Sequence, residues 1–142
     1  MRTRLNLLAV LLVFTLGCGD KATEPQVLNI AGIYTANWTS MSGSGYSCNA
    51  SGVKLELNQS GDTFTGTYSA GSFSCNGTYV GTLKGTVVNG KLNDSDVHFD
   101  LDSPDFHQTG TVSGNSLSGS ATWTLDFGSG PLTLTGSWAA SK

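Results

Sequence analysis

Asp94, Asp96, His98, Asp100 and Asp102 fall at every second position, alternating with Ser95, Val97, Phe99 and Leu101, and His107 follows close behind. In an extended strand this spacing sends the polar set to one face and the apolar set to the other. Carboxylate oxygens suit a hard cation such as Ca²⁺, and an imidazole from His98 or His107 would admit a transition metal. A turn around Ser103-Pro104 places His107 on the same face, beside Asp100 or Asp102. Side chains two apart on a strand stand about 6.5–7 Å apart, too far for the whole row to hold one ion. The row therefore reads as the solvated outer face of a half-buried strand, with no metal and no cofactor assigned. The end near Asp102 and Asp105 is the place where a cation fits best.

Tyr34, Trp38, Phe64, Tyr68, Phe99, Phe106, Trp123 and Trp138 form a second set, suited to apolar contact. They could wall a pocket for a small apolar ligand or serve as ordinary core. Catalytic patterns are missing: there is no Gly-x-Ser-x-Gly elbow, no phosphate-binding loop with its lysine and no His-Glu-x-x-His. The expectation is a binding or structural protein and not an enzyme.

The amino-terminal segment sets the address. Arg2 and Arg4 precede Leu5 to Leu16, apolar apart from Asn6 and Thr15, which has the length of a signal-peptide core and is too short to span a bilayer. Thr15-Leu16-Gly17-Cys18 resembles the lipobox of bacterial lipoproteins, with Thr15 where that pattern usually has Leu. The resemblance implies a signal peptide over residues 1–17, cleavage before Cys18 and acylation of that cysteine. The partner is then a membrane of the bacterial cell envelope. Gly19 lacks the aspartate that in some bacteria retains lipoproteins at the inner membrane, so the outer membrane is expected. Residues 18–29 form the lipidated cysteine and a tether reaching about 35–40 Å when extended, and residues 30–142 form one domain.

Cleavage at that point leaves Cys18 to Lys142, with five lysines against ten acids and a formal net charge of −5. Such a surface has no basic patch for nucleic acid. With Cys18 lipidated, two thiols remain in an oxidising compartment, so Cys48 and Cys75 are expected to form a disulfide, the alternative being two buried free thiols.

From Ile30 onward the apolar period is two nearly throughout, and helix is barely represented. Eight strands are predicted: Ile30 to Thr39, Val53 to Gln59, Thr63 to Ser69, Thr78 to Val88, Lys91 to Leu101, Phe106 to Ser113, Ser116 to Asp126 and Leu132 to Ala139. Ser60-Gly61, Asn89-Gly90 and Gly114-Asn115 have the composition of two-residue hairpin loops. The first pairs Leu57 with Phe64 and Leu55 with Gly66; the last pairs Val112 with Leu117, Gly110 with Gly119 and Phe106 with Trp123. The Asn89-Gly90 loop pairs Leu92 with Val87, but Val97, Phe99 and Leu101 have the opposite parity, which calls for a β-bulge near Asn93 to Ser95. In a meander the three tight turns share one end. The longer connections, Ser40 to Gly52, Ala70 to Gly77, Asp102 to Asp105 and Phe127 to Pro131, share the other.

The predicted fold is all-β: an eight-stranded antiparallel up-and-down β-barrel that removes its own edges, with a two-sheet β-sandwich as the alternative. Gly66, Gly110, Gly119 and Gly136 fall on the apolar side, where they permit coiling or leave internal space. The Gly32 to Trp38, Thr63 to Tyr68 and Leu132 to Trp138 segments resemble hairpin strands of the calycin group, the lipocalins and avidins. That resemblance implies a cup-like pocket at the long-loop end and no particular ligand. The functional expectation is an envelope lipoprotein binding a small apolar or amphipathic molecule. The alternative is a filled barrel that is structural or meets a protein partner with its long loops, in the manner of small bacterial metalloprotease inhibitors.

Overall fold

The computed structural model describes residues 28–102, 105–126 and 130–142. The proposed signal peptide, Cys18, most of the tether and the turn at Ser103-Pro104 lie outside the described residues, as does the start of the Phe127 to Pro131 connection. The described residues form ten strands: β1 Gly32–Gly43, β2 Tyr46–Ser60, β3 Thr63–Ser69, β4 Ser72–Cys75, β5 Thr78–Gly81, β6 Gly85–Asn93, β7 Asp96–Leu101, β8 Phe106–Ser113, β9 Ser116–Asp126 and β10 Pro131–Ser141. The order β1-β10-β9-β8-β7-β6-β3-β2, with β2 pairing back to β1, closes an eight-stranded antiparallel barrel. The sandwich alternative is thereby set aside. β4 and β5 lie outside the ring, added to the upper half of β2.

Two of the three expected tight turns form at one end of the barrel, while a further tight turn, Ser44-Gly45, lies at the end expected to hold long loops. Gly61 and Gly114, both at positive φ, open two-residue loops on the end where Lys142 N donates to the Asn115 carbonyl and Leu92 N donates to the Asp62 carbonyl. The β8–β9 register is the expected one, with Val112 opposite Leu117, Gly110 opposite Gly119 and Phe106 opposite Trp123. The β2–β3 hairpin turns one residue later than expected, through Gly61-Asp62. Leu57 therefore faces Gly66 and Leu55 faces Tyr68. Both registers keep the same residues inside, so the apolar pattern could not distinguish them.

Asn89-Gly90 is not a hairpin. β6 runs through it, and the chain reverses at Asp94-Ser95, with Asn93 opposite Asp96 and Leu92 opposite Val97. The bulge lies between Val88 and Lys91, so turn and bulge have exchanged places relative to the expectation. Asn89 takes a positive φ of 55°, which serves a bulge as well as a turn. Gly90 is required because a Cβ there would strike the Phe64 carbonyl and ring.

Ser40 to Gly52 is likewise strand and not loop. β1 and β2 continue to a tight Ser44-Gly45 turn, with both residues at positive φ as a type I′ hairpin needs. Two irregularities hide this. Ser40, at φ 54°, and Gly52, at φ 65°, each switch the parity of inward residues: Trp38 gives way to Met41, and Ala50 to Val53. Asparagine side chains hold both, Asn49 Oδ1 accepting from Ser40 N and Asn37 Oδ1 from Gly52 N, each at 2.9 Å. The predicted Thr78 to Val88 strand is also two elements, β5 and β6.

The barrel interior is filled. Trp38, Trp138, Phe99, Leu55, Leu57 and Leu117 are all fully buried, and Phe99 meets Trp138 edge-on at 5.1 Å and Phe64 at 5.8 Å. Trp38 Nε1 donates to Gln108 Oε1 at 2.8 Å, satisfying the fully buried glutamine. Trp138 Nε1 donates to the Thr109 carbonyl at 3.0 Å, reaching across β9 to β8. Register sets Trp138 beside Gly119 and Gly119 beside Gly110, so the indole spans two strands where no side chain obstructs it. The inward glycines serve close approach and do not leave empty space: a Cβ on Gly110 or Gly119 would collide with the neighbouring backbone.

Candidate functional site

The cavity lies at the long-loop end, where the barrel wall divides. The lower half of β2, Lys54 to Ser60, pairs with β3; its upper half, Cys48 to Ser51, pairs with β4. Cys48 and Cys75 stand opposite each other in that pairing and are joined by a disulfide, as expected. The bridge fastens the β4–β5 flap to the barrel. Phe73, on the same flap, reaches across to Trp123 on β9, ring centres 5.9 Å apart.

Between flap and barrel lies a cavity of about 340 Å³. Trp123 and Leu125 of β9 and Leu132 and Leu134 of β10 form one wall, with Leu134 opposite Trp123 and Leu132 opposite Leu125. Tyr46 and Cys48 of β2, Phe73 and Cys75 of β4, and Val80 of β5 form the other. Among the described residues no charged one lines it, and its polar side-chain groups are the Tyr46 hydroxyl and the Trp123 indole N–H. The lining is suited to apolar contact and holds no pair of groups that could exchange protons with a substrate. Its floor is rigid: Trp123 stacks on Phe106 with centroids 4.7 Å apart and planes 12° apart, and Phe106 in turn meets Trp38.

Of the eight aromatic residues predicted to contact a ligand, only Trp123 lines this cavity. Trp38, Phe64, Phe99 and Trp138 belong to the packed interior, and Phe106 supports Trp123 from beneath. Tyr34 is at the opposite end, its hydroxyl donating to the Ile30 carbonyl and its ring 5.1 Å from Lys142 Nζ. Tyr68 donates to Asp102 Oδ2 at 2.7 Å, and Thr86 donates to Oδ1 of the same carboxylate from both its backbone N–H and its hydroxyl. Desolvation works to raise the Asp102 pKa, but the three donated hydrogen bonds outweigh it and hold the carboxyl below its ordinary value. Burial, followed by the bond to Asp102, pushes the Tyr68 hydroxyl well above the ordinary tyrosine range. This network pins the β7 exit to β3 and β6 beside the flap.

Tyr46, Phe73, Val80, Leu125, Leu132 and Leu134 were not anticipated as site residues. The available signal was the inward pairing of Leu132 and Leu134 with Leu125 and Trp123 at the long-loop end of two strands. The acidic row divides as well. Asp94 is in the turn and Asp102 beyond the strand end, while Asp96, His98 and Asp100 remain on one face of β7, with His107 opposite Asp100. Asp100 is not solvated: it is 4% exposed.

No protein-family model, curated protein or solved structure matches the chain.

Proposed function

We propose that this protein is a lipid-anchored component of the bacterial cell envelope that holds a small apolar or amphipathic molecule in the cavity between its β4–β5 flap and its barrel. The observation that carries the proposal is the cavity itself. It is apolar on both walls, backed by stacked aromatics and continuous with the hydrophobic core, which lends it Cys48, Leu132 and Leu134. Its volume is at the low end of the roughly 300–1,000 Å³ typical of ligand sites, which favours a single ring or a short chain over a long acyl tail.

The address follows from the lipobox-like segment ending at Cys18. The geometry supports a consistent orientation. Gln59 receives Ile30 N at 2.7 Å and donates to the Leu28 carbonyl at 2.8 Å, so the domain begins at the tight-turn end. A tether from Cys18 leaves from that end, and the cavity faces away from the membrane. Titration of the full-length protein with a brominated short-chain alcohol tests the binding site. Heavy-atom quenching of tryptophan fluorescence should saturate, and Trp123→Phe should remove most of the saturable part. Quenching that is non-saturable, or unchanged in the variant, would overturn it.

One observation favours a protein partner as a second reading. β5 pairs only with β4, so it is the open edge of an otherwise closed sheet among the described strands, and it carries Tyr79 and Val80 at 61% and 60% exposure. Such edges accept a further strand. Under this reading, Tyr79→Lys, at an edge position outside the cavity lining, abolishes the association while leaving small-molecule quenching to be lost only with Trp123.

A further inference from the structure

We propose that His98, Asp100 and His107 form a binding site for a borderline transition-metal ion such as Zn²⁺ on the outer wall of the barrel. The proposal is independent of the cavity, whose lining shares none of these residues. His98 and Asp100 are two apart on β7, and Asp100 is directly opposite His107 on β8, so all three side chains emerge on one outward face. One donor atom from each lies within 4.8 Å of the other two. Two imidazoles and a carboxylate are a donor set that suits zinc and its neighbours better than calcium.

The acid is not an ordinary surface group. Asp100 is buried although it points outward, because the bulge at Asn89 brings a side-chain amide over it. Asn89 Nδ2 donates to Asp100 Oδ2 at 2.8 Å, and Asp100 Oδ1 lies 2.7 Å from His107 Nδ1. The carboxylate is therefore fixed in position by one neighbour and directed at the other. The two histidine rings lie nearly parallel, 22° apart with centroids 6.3 Å apart, and both are exposed. Ligand nitrogens around tetrahedral zinc stand about 3.4 Å apart, given Zn–N bonds of about 2.0–2.1 Å, so a small rotation of His98 completes the set. On binding, the ion takes the place of the hydrogen shared by His107 and Asp100, neutral His107 ligates through Nδ1 with its one N–H on Nε2, and water fills the remaining position. Lys91, opposite His98 on β6, is the nearest opposing charge in the strand register.

The test is zinc competition against a chromophoric chelator, using untagged full-length protein. One ion should bind per chain. Asp100→Asn, His98→Ala and His107→Ala should each weaken binding by at least the roughly 10-fold that loss of a merely supporting partner costs, while Lys91→Gln should tighten it. Because both histidines are exposed, their variants keep the fold, which the melting temperature without metal verifies. Equal zinc uptake by the wild type and the His98→Ala/His107→Ala double variant, or no uptake by either, would overturn the proposal.

Discussion

Trp123 and Trp138 show how the same side chain takes different roles by position. Trp138 is buried in the interior with its indole N–H satisfied across two strands, whereas Trp123 is half-buried at the cavity and stacked on Phe106. Trp138→Ala should cost about 3–5 kcal/mol of stability, read by urea unfolding. Trp123→Ala should cost less and abolish uptake of the apolar probe; equal costs would place Trp123 in the core and remove the reason to call its surroundings a site. Tyr68 and Asp102 make the stability depend on pH in two directions. The lowered Asp102 pKa contributes stability above the unfolded carboxylate value, and this is lost as pH falls through the folded one. The raised Tyr68 pKa contributes stability below the unfolded tyrosine value near 10, and this is lost at more alkaline pH. Tyr68→Phe should cost about 1 kcal/mol at neutral pH and flatten the alkaline limb of the stability profile. An alkaline limb identical to that of the wild type would contradict this assignment.

At the scale of elements, residues that satisfy one local geometry often satisfy another. Asn89-Gly90 has the composition of a hairpin loop, and the protein uses it as a bulge. The real turn, Asp94-Ser95, was masked by the polar alternation that continues through it. The parity clash at Val97, Phe99 and Leu101 was legible; its location was not, because exchanging turn and bulge leaves the same residues inside. Ser40 and Gly52 hid a whole hairpin extension, since two parity switches within thirteen residues look aperiodic. The β8–β9 hairpin was legible to the residue because its large apolar residues face one another, Phe106 with Trp123 and Val112 with Leu117, and its inward glycines pair together. The flap could not be seen from periodicity, as β4 and β5 have four residues each. The disulfide Cys48–Cys75, at a separation of 27, holds that flap. Its loop-closure contribution is about 3–4 kcal/mol. Cys48→Ser/Cys75→Ser should lower stability by that amount in urea unfolding and speed amide exchange in β4 and β5 more than in β8 and β9. Uniform exchange across all four strands would show that the flap is held by other contacts.

The whole molecule is a filled barrel with a small added element, and the added element is what makes a cavity. The inward glycines left two readings open, coiling of the strands or internal space, and they let strands and the Trp138 indole pack closely. The eight-stranded closure was predictable from edge removal. That a pocket sits at the long-loop end was legible too; the β4–β5 wall of it was not, because it depends on β2 exchanging β3 for β4 as its partner halfway along. The most direct test is the native mass spectrum of the full-length protein purified gently from a bacterial envelope, compared with a Leu134→Trp variant that fills the cavity. The account predicts a reproducible small-molecule adduct at one per chain in the wild type and a bare folded mass in the variant. A bare mass in both, or an adduct that persists when the cavity is filled, would contradict it.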